Sequence, residues 1–183
     1  AVLEVSPKGR ARVKLPPMTD AAVSDADLRR TDVFAWLKRQ AEALRAREAG
    51  RNAIAYDELA EEVDGLAQSV RNKVFSLTAR IIEHLYKLEF VDSPRDRAGW
   101  RKEVLAFRGQ LARTVTPTLR NEVQGELPEL HRRELRGLVL GELLADAEAA
   151  QSARPTGYTW AEIVDDEWFP ESVSSAGGGV GPM

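Results

Sequence analysis

The side chains with the widest chemical reach in this chain fall close together on a helical wheel. At about 100° per residue, His84 lies within about 50° of the centre of an apolar stripe that runs from Leu59 to Leu88. Glu62, Lys73, Arg80 and Lys87 line one flank of that stripe. In a later segment, Arg101 and Arg108 stand one heptad apart beside the Trp100 stripe. If the two segments pack side by side, Glu61, Glu62, His84, Lys87, Arg101 and Arg108 form a half-buried polar network. An imidazole flanked by carboxylate and guanidinium groups has a shifted pKa, which suits catalysis or ligand binding. The competing reading, a structural clamp, is favoured, because helical bundles fix their register with mutually satisfied polar residues.

Other chemistries find less in the sequence. The plausible metal ligands are Glu61, Glu62, Asp64, His84 and His131. Carboxylate-bridged dimetal bundles use Glu-x-x-His pairs on two helices, but here Glu83 directly precedes His84 and Glu129 stands two residues before His131. No metal and no cofactor is expected. Ser69 and Ser76 sit within a helical pattern without the sharp turn of a nucleophile elbow, and Gly177 to Gly179 precede no helix that would cradle a phosphate. The chain has no cysteine, which excludes disulfides and thiol chemistry and fits a reducing, cytoplasmic compartment.

With a net charge of −3 and a pI near 5.6, the whole molecule does not attract nucleic acid. Arg120, Arg132, Arg133 and Arg136 form a modest basic cluster that would serve a nucleic-acid-associated regulatory module. Glu122, Glu126, Glu129 and Glu134 interleave with them, as on an exposed face stitched by charge pairs, so nucleic acid is the second choice. Trp36, Trp160, Trp168 and Phe169 are candidates for an interaction surface, since tryptophan dominates many interfaces; closure of the parent domain competes for Trp168 and Phe169.

The elements that must position these groups are helical. Leu59, Val63, Leu66, Val70, Val74, Leu77, Ile81, Leu85 and Leu88 advance by threes and fours, the period of a straight α-helix, which predicts one helix over 57–90. It would run about 50 Å. Asp57 is a fitting N-cap, with Glu58, Glu61 and Glu62 near the positive end of the helix dipole. A preceding helix over 32–48, capped by Thr31 or Asp32, buries Phe34, Leu37, Ala41 and Leu44 and stops at Gly50. A following helix over 99–115 buries Trp100, Val104, Phe107 and Leu111. Thr116 and Pro117 open the next, and Pro128 is expected to split it into 118–126 and 129–152, the second part carrying Leu135, Leu138, Val139, Leu143 and Ala147. Thr159 and Glu162 make a capping box for a short last helix, followed by the plug Trp168, Phe169 and Pro170.

The ends read as tails. Residues 1–30 hold Pro7, Gly9, Pro16 and Pro17 and are expected to be a flexible arm, with 172–183 a disordered tail. Within 1–17, Lys8, Arg10, Arg12 and Lys14 against Glu4 give +3, whereas Glu162, Asp165, Asp166, Glu167 and Glu171 give −5 over 158–183. No run of eighteen apolar residues predicts a membrane span.

An ordered set of short motifs resembles a bacterial family, the domain of unknown function numbered twenty-nine. The motifs are Asp32 with Ala35-Trp36-Leu37 and Gln40; Leu59 with Glu61-Glu62 and Leu66; His84-Leu85 with Lys87 and Phe90; Trp100-Arg101 with Arg108; Pro117 with Leu119-Arg120; and Tyr158-Thr159 with Ile163, Asp165 and Phe169-Pro170. The resemblance spans 32–171 and implies a compact helical bacterial protein; it brings no activity with it. The expectation is therefore an all-α, multi-helix bundle around 57–90 within a single domain, 31–171. Its expected role is non-catalytic, holding a protein partner or a second copy of itself.

Overall fold

The computed structural model describes residues 24–47, 56–145 and 147–173. Seven helices lie among them: α1 (Asp25–Thr31), α2 (Val33–Arg45), α3 (Tyr56–Phe90), α4 (Arg97–Thr114), α5 (Pro117–Leu140), α6 (Glu148–Ala153) and α7 (Trp160–Val164). The fold is all-α, with α3 as its axis and α2, α4 and α5 packed around it. At 1.5 Å per residue the 35 residues of α3 extend for about 52 Å. The expected Gly50 stop, the basic stretch 1–17 and the tail beyond 173 lie outside the described residues.

Helix starts follow local capping chemistry. The Ser24 hydroxyl accepts from the Asp27 N–H and opens α1, so 25–30 are helical rather than part of a flexible arm. Asp25 then pairs with Arg39 at 3.1 Å and the Arg29 guanidinium covers Trp36 at 5.1 Å, tying α1 to α2. Asp32 closes α1 through its own N–H and opens α2 by accepting from the Ala35 N–H at 3.0 Å. Its other carboxylate oxygen accepts from the Thr118 N–H at 2.7 Å, so one side chain serves the N-termini of both α2 and α5. Burial tends to raise the pKa of Asp32, but the N–H groups of Ala35 and Thr118 outweigh it and hold the carboxyl below its ordinary range. Helix α3 begins at Tyr56, which places Asp57 inside the first turn instead of at the cap.

Two sequence expectations fail for tertiary reasons. Pro128 does not split α5: the helix continues to Leu140. Proline removes one N–H and crowds the carbonyl four residues back, a cost of about 3 kcal/mol. Here Leu119, Val123, Leu130, Leu135 and Leu138 keep one buried stripe in phase across it, and burial of that stripe offsets the cost. The helix also ends well before 152. Leu143 N–H bonds the Leu138 carbonyl and Glu142 N–H the Val139 carbonyl, a Schellman stop with Glu142 in the left-handed region at φ 58°. Leu143 therefore sits in a turn, 45% exposed, and not on the helix.

The apolar stripe of α3 is also covered unevenly. Val74, Leu77, Ile81, Leu85 and Leu88 are buried, as the period predicts. In the N-terminal half the buried positions are instead Ala60 and Ala67, small residues that let α2 approach closely, while Leu59 and Leu66 are left 45% and 58% exposed. Among the described residues no helix is long and apolar enough to cross a membrane.

Candidate functional site

His84 occupies the buried half of α3, where α4 packs against it. Its Nδ1–H donates to the Arg80 carbonyl at 2.8 Å, one turn back, and Nε2 faces a Glu103 carboxylate oxygen at 2.6 Å. Both ring nitrogens are thus engaged, one by the backbone of α3 itself and the other by a side chain of α4. The ring edge rests on Phe107. Lys87 donates to Glu83 at 2.6 Å one turn away on the same flank. The carboxylate meeting His84 is therefore Glu103, not Glu62. Glu61 and Glu62 are exposed near the start of α3, and Glu62 lies 22 residues from His84 on one unbroken helix, about 33 Å away. Asp64, a candidate ligand, is held by Lys38 and Arg45 of α2.

Arg101 and Arg108 face a different group: both guanidinium groups lie over the ring of Phe169, at 4.6 and 4.9 Å. Arg108 is 2% exposed, and its fork donates to three backbone carbonyls: Nε to Ile163 at 2.8 Å, Nη2 to Glu162 at 2.8 Å and Nη1 to Trp168 at 3.0 Å. The carbonyls of Glu162 and Ile163 belong to the last turn of α7, which a helix leaves without internal partners, so Arg108 caps α7 from α4. Burial pulls the guanidinium below its ordinary pKa, with Asp166 and Asp165 acting against that pull.

A third cluster went unrecognised in the sequence. Glu89, two residues after Lys87 and so on the opposite side of α3, accepts from the Tyr158 hydroxyl at 2.7 Å and from Arg154 Nε at 2.9 Å. Arg154 also reaches Glu162 at 3.2 Å, and Glu162 completes the expected capping box with Thr159. Burial opposes charge on Arg154, but Glu89 and Glu162 override it and hold its pKa above the ordinary value. Next to this ion pair, Tyr86 Oη lies 3.0 Å from His131 Nδ1, while His131 Nε2 faces both the N–H and the carbonyl of Tyr158 at 3.1 and 3.0 Å. With a donor and an acceptor at the same nitrogen, the neutral ring can carry its proton on either side. Burial keeps it neutral by lowering its pKa; burial and then the Glu89 charge push both tyrosines up, so their hydroxyls stay protonated. Gly157 holds the turn that brings Tyr158 in. Its φ is +68°, and a Cβ there would stand 2.4 Å from the His131 ring. The single sequence signal for this cluster is the Pro155-Thr156-Gly157 turn before Tyr158.

A cleft of about 290 Å³ opens beside the cluster, lined by Tyr86, His131, Arg132, Leu135, Arg154 and Gly157 among others. Among the described residues no group of three His, Asp or Glu side chains could hold a metal ion. The aromatic candidates are used inside the fold: Trp160 is 7% exposed, Trp168 packs on Tyr158, and Trp36 is half-buried under Arg29. On the arginine-rich face of α5, Arg132 pairs with Glu129 and Arg133 with Glu134, while Arg120 and Arg136 are exposed.

Residues 28–169 match the family described as domain of unknown function DUF29. The chain belongs to this family. The DUF29 region thus runs from inside α1 to Phe169, the ring that lies over Arg108. The fold is similar to the crystal structure of an alpha-helical protein of unknown function from Rhodospirillum rubrum, with 21% identity and a TM-score of 0.59. That similarity covers 76% of this chain and 90% of the other. No curated protein matches.

Proposed function

We propose that this DUF29 chain is a non-catalytic helical module that works by docking a protein on the outer face of α3. The observation that carries this reading is the uncovered apolar stripe of Leu59 and Leu66, with half-buried Val63 and Val70 beside it, on a helix whose apolar stripe is buried in its other half. The polar clusters support a structural role. Arg108 is bound by three carbonyls, Arg154 by two carboxylates, and both nitrogens of His131 by Tyr86 and Tyr158, which leaves them engaged with the protein itself. A chain without cysteine supports a cytoplasmic setting, which cell fractionation would check. Basic residues on α5 support nucleic-acid binding less, because Glu129 and Glu134 neutralise two of them.

The test is a photo-crosslinking amino acid in place of Leu66 in the full chain, expressed in its source cells, with a control at the exposed Gln124 on α5. The reading expects a discrete protein adduct at Leu66 and none at the control. Equal labelling at both sites, or none at Leu66, would remove it.

A further inference from the structure

We propose that the partner docked on α3 is a second copy of the chain, lying antiparallel. This rests on the docking reading above and adds the identity and direction of the partner. Leu59, Glu62, Leu66, Ser69, Lys73, Ser76 and Arg80 are all exposed, and their spacing of three and four places them along one face of α3. That face is polar in one direction: acid precedes base, and both leucines lie toward its N-terminal end. Two copies side by side in parallel would set Glu62 against Glu62 and Lys73 against Lys73. An antiparallel pair with its two-fold axis between Leu66 and Ser69 sets Glu62 against Lys73, Leu66 against Ser69 and Leu59 against Ser76, each twice. Every layer then matches a large side chain with a small one, or an acid with a base. The six layers span residues 59–76, about 26 Å of helix. Such a contact is smaller than a standard stable interface, so the association should be reversible, with a Kd of roughly micromolar order.

Sedimentation of the full chain from low to several hundred micromolar tests this. The expected result is a monomer–dimer equilibrium. Leu66→Glu should abolish it, whereas Glu62→Lys and Lys73→Glu should each weaken it about tenfold or more, because each places like charges in two layers. Combining Glu62→Lys with Lys73→Glu should restore dimerisation. Because the chain has no cysteine, Glu62→Cys with Lys73→Cys should give an oxidised, covalently linked dimer, and Glu62→Cys alone should not. A monomer throughout, or a dimer indifferent to Leu66→Glu and to the charge swap, overturns the proposal. A heterologous protein adduct at Leu66 together with a strict monomer would overturn self-pairing and leave the docking reading standing; loss of any adduct there would remove both.

Discussion

At the scale of the residue, stability concentrates where a single group answers several others. Arg108 with three carbonyls and Asp32 with two helix starts are of this kind. Gly157 acts by what it lacks, since its left-handed φ and the nearby His131 ring leave no room for a side chain. Gly157→Ala should cost about 2–4 kcal/mol, combining the strained backbone with displacement of the ring from Tyr86 and Tyr158. Urea unfolding would read that cost. With His131→Ala in the background the penalty should shrink, because the clash is with the ring itself, and simple additivity would show that the ring is not the obstacle.

At the scale of the element, α3 has two halves with one period and two fates. Leu77 and Leu66 both belong to the stripe read from the sequence, yet Leu77 is 6% exposed and Leu66 58%. Leu77→Ala should cost about 2–5 kcal/mol, and Leu66→Ala less than about 1 kcal/mol in dilute solution, where no partner covers it. Equal costs would contradict the placement of α2, α4 and α5 around α3. Helix α5 teaches the same lesson in reverse: the local rule for Pro128 predicts a break, and the buried stripe that continues through it overrides that rule.

At the scale of the molecule, the buried titratable groups set a window of stability against pH. The pKa of His131 is lowered on folding, so its contribution is present above the ordinary histidine value of about 6.5 and is lost as pH falls through the folded value. Asp32 behaves likewise at lower pH, with loss setting in below about 4. Tyr86 and Tyr158 have raised pKa values, so their contribution is present below about 10 and is lost as pH climbs above it. Urea midpoints should fall in three limbs, one near each threshold. Asp32→Asn should flatten the lowest limb, and an unchanged acid limb would contradict the double cap. The sequence by itself determined the helical class, the period of each stripe, and caps such as Asp32, Thr116 and Thr159, because these depend on residues within a turn or two of one another. The helical wheel also placed His84 and Arg108 near the core, where they are buried, whereas Arg101, set beside the same stripe, is exposed. Only the tertiary structure decided which groups they meet. Glu103 with His84, Glu89 with Arg154 and Tyr158, and Arg108 with the end of α7 join residues 19 to 69 positions apart. Such pairs are set by how helices cross, and the helical period carries no information about crossing.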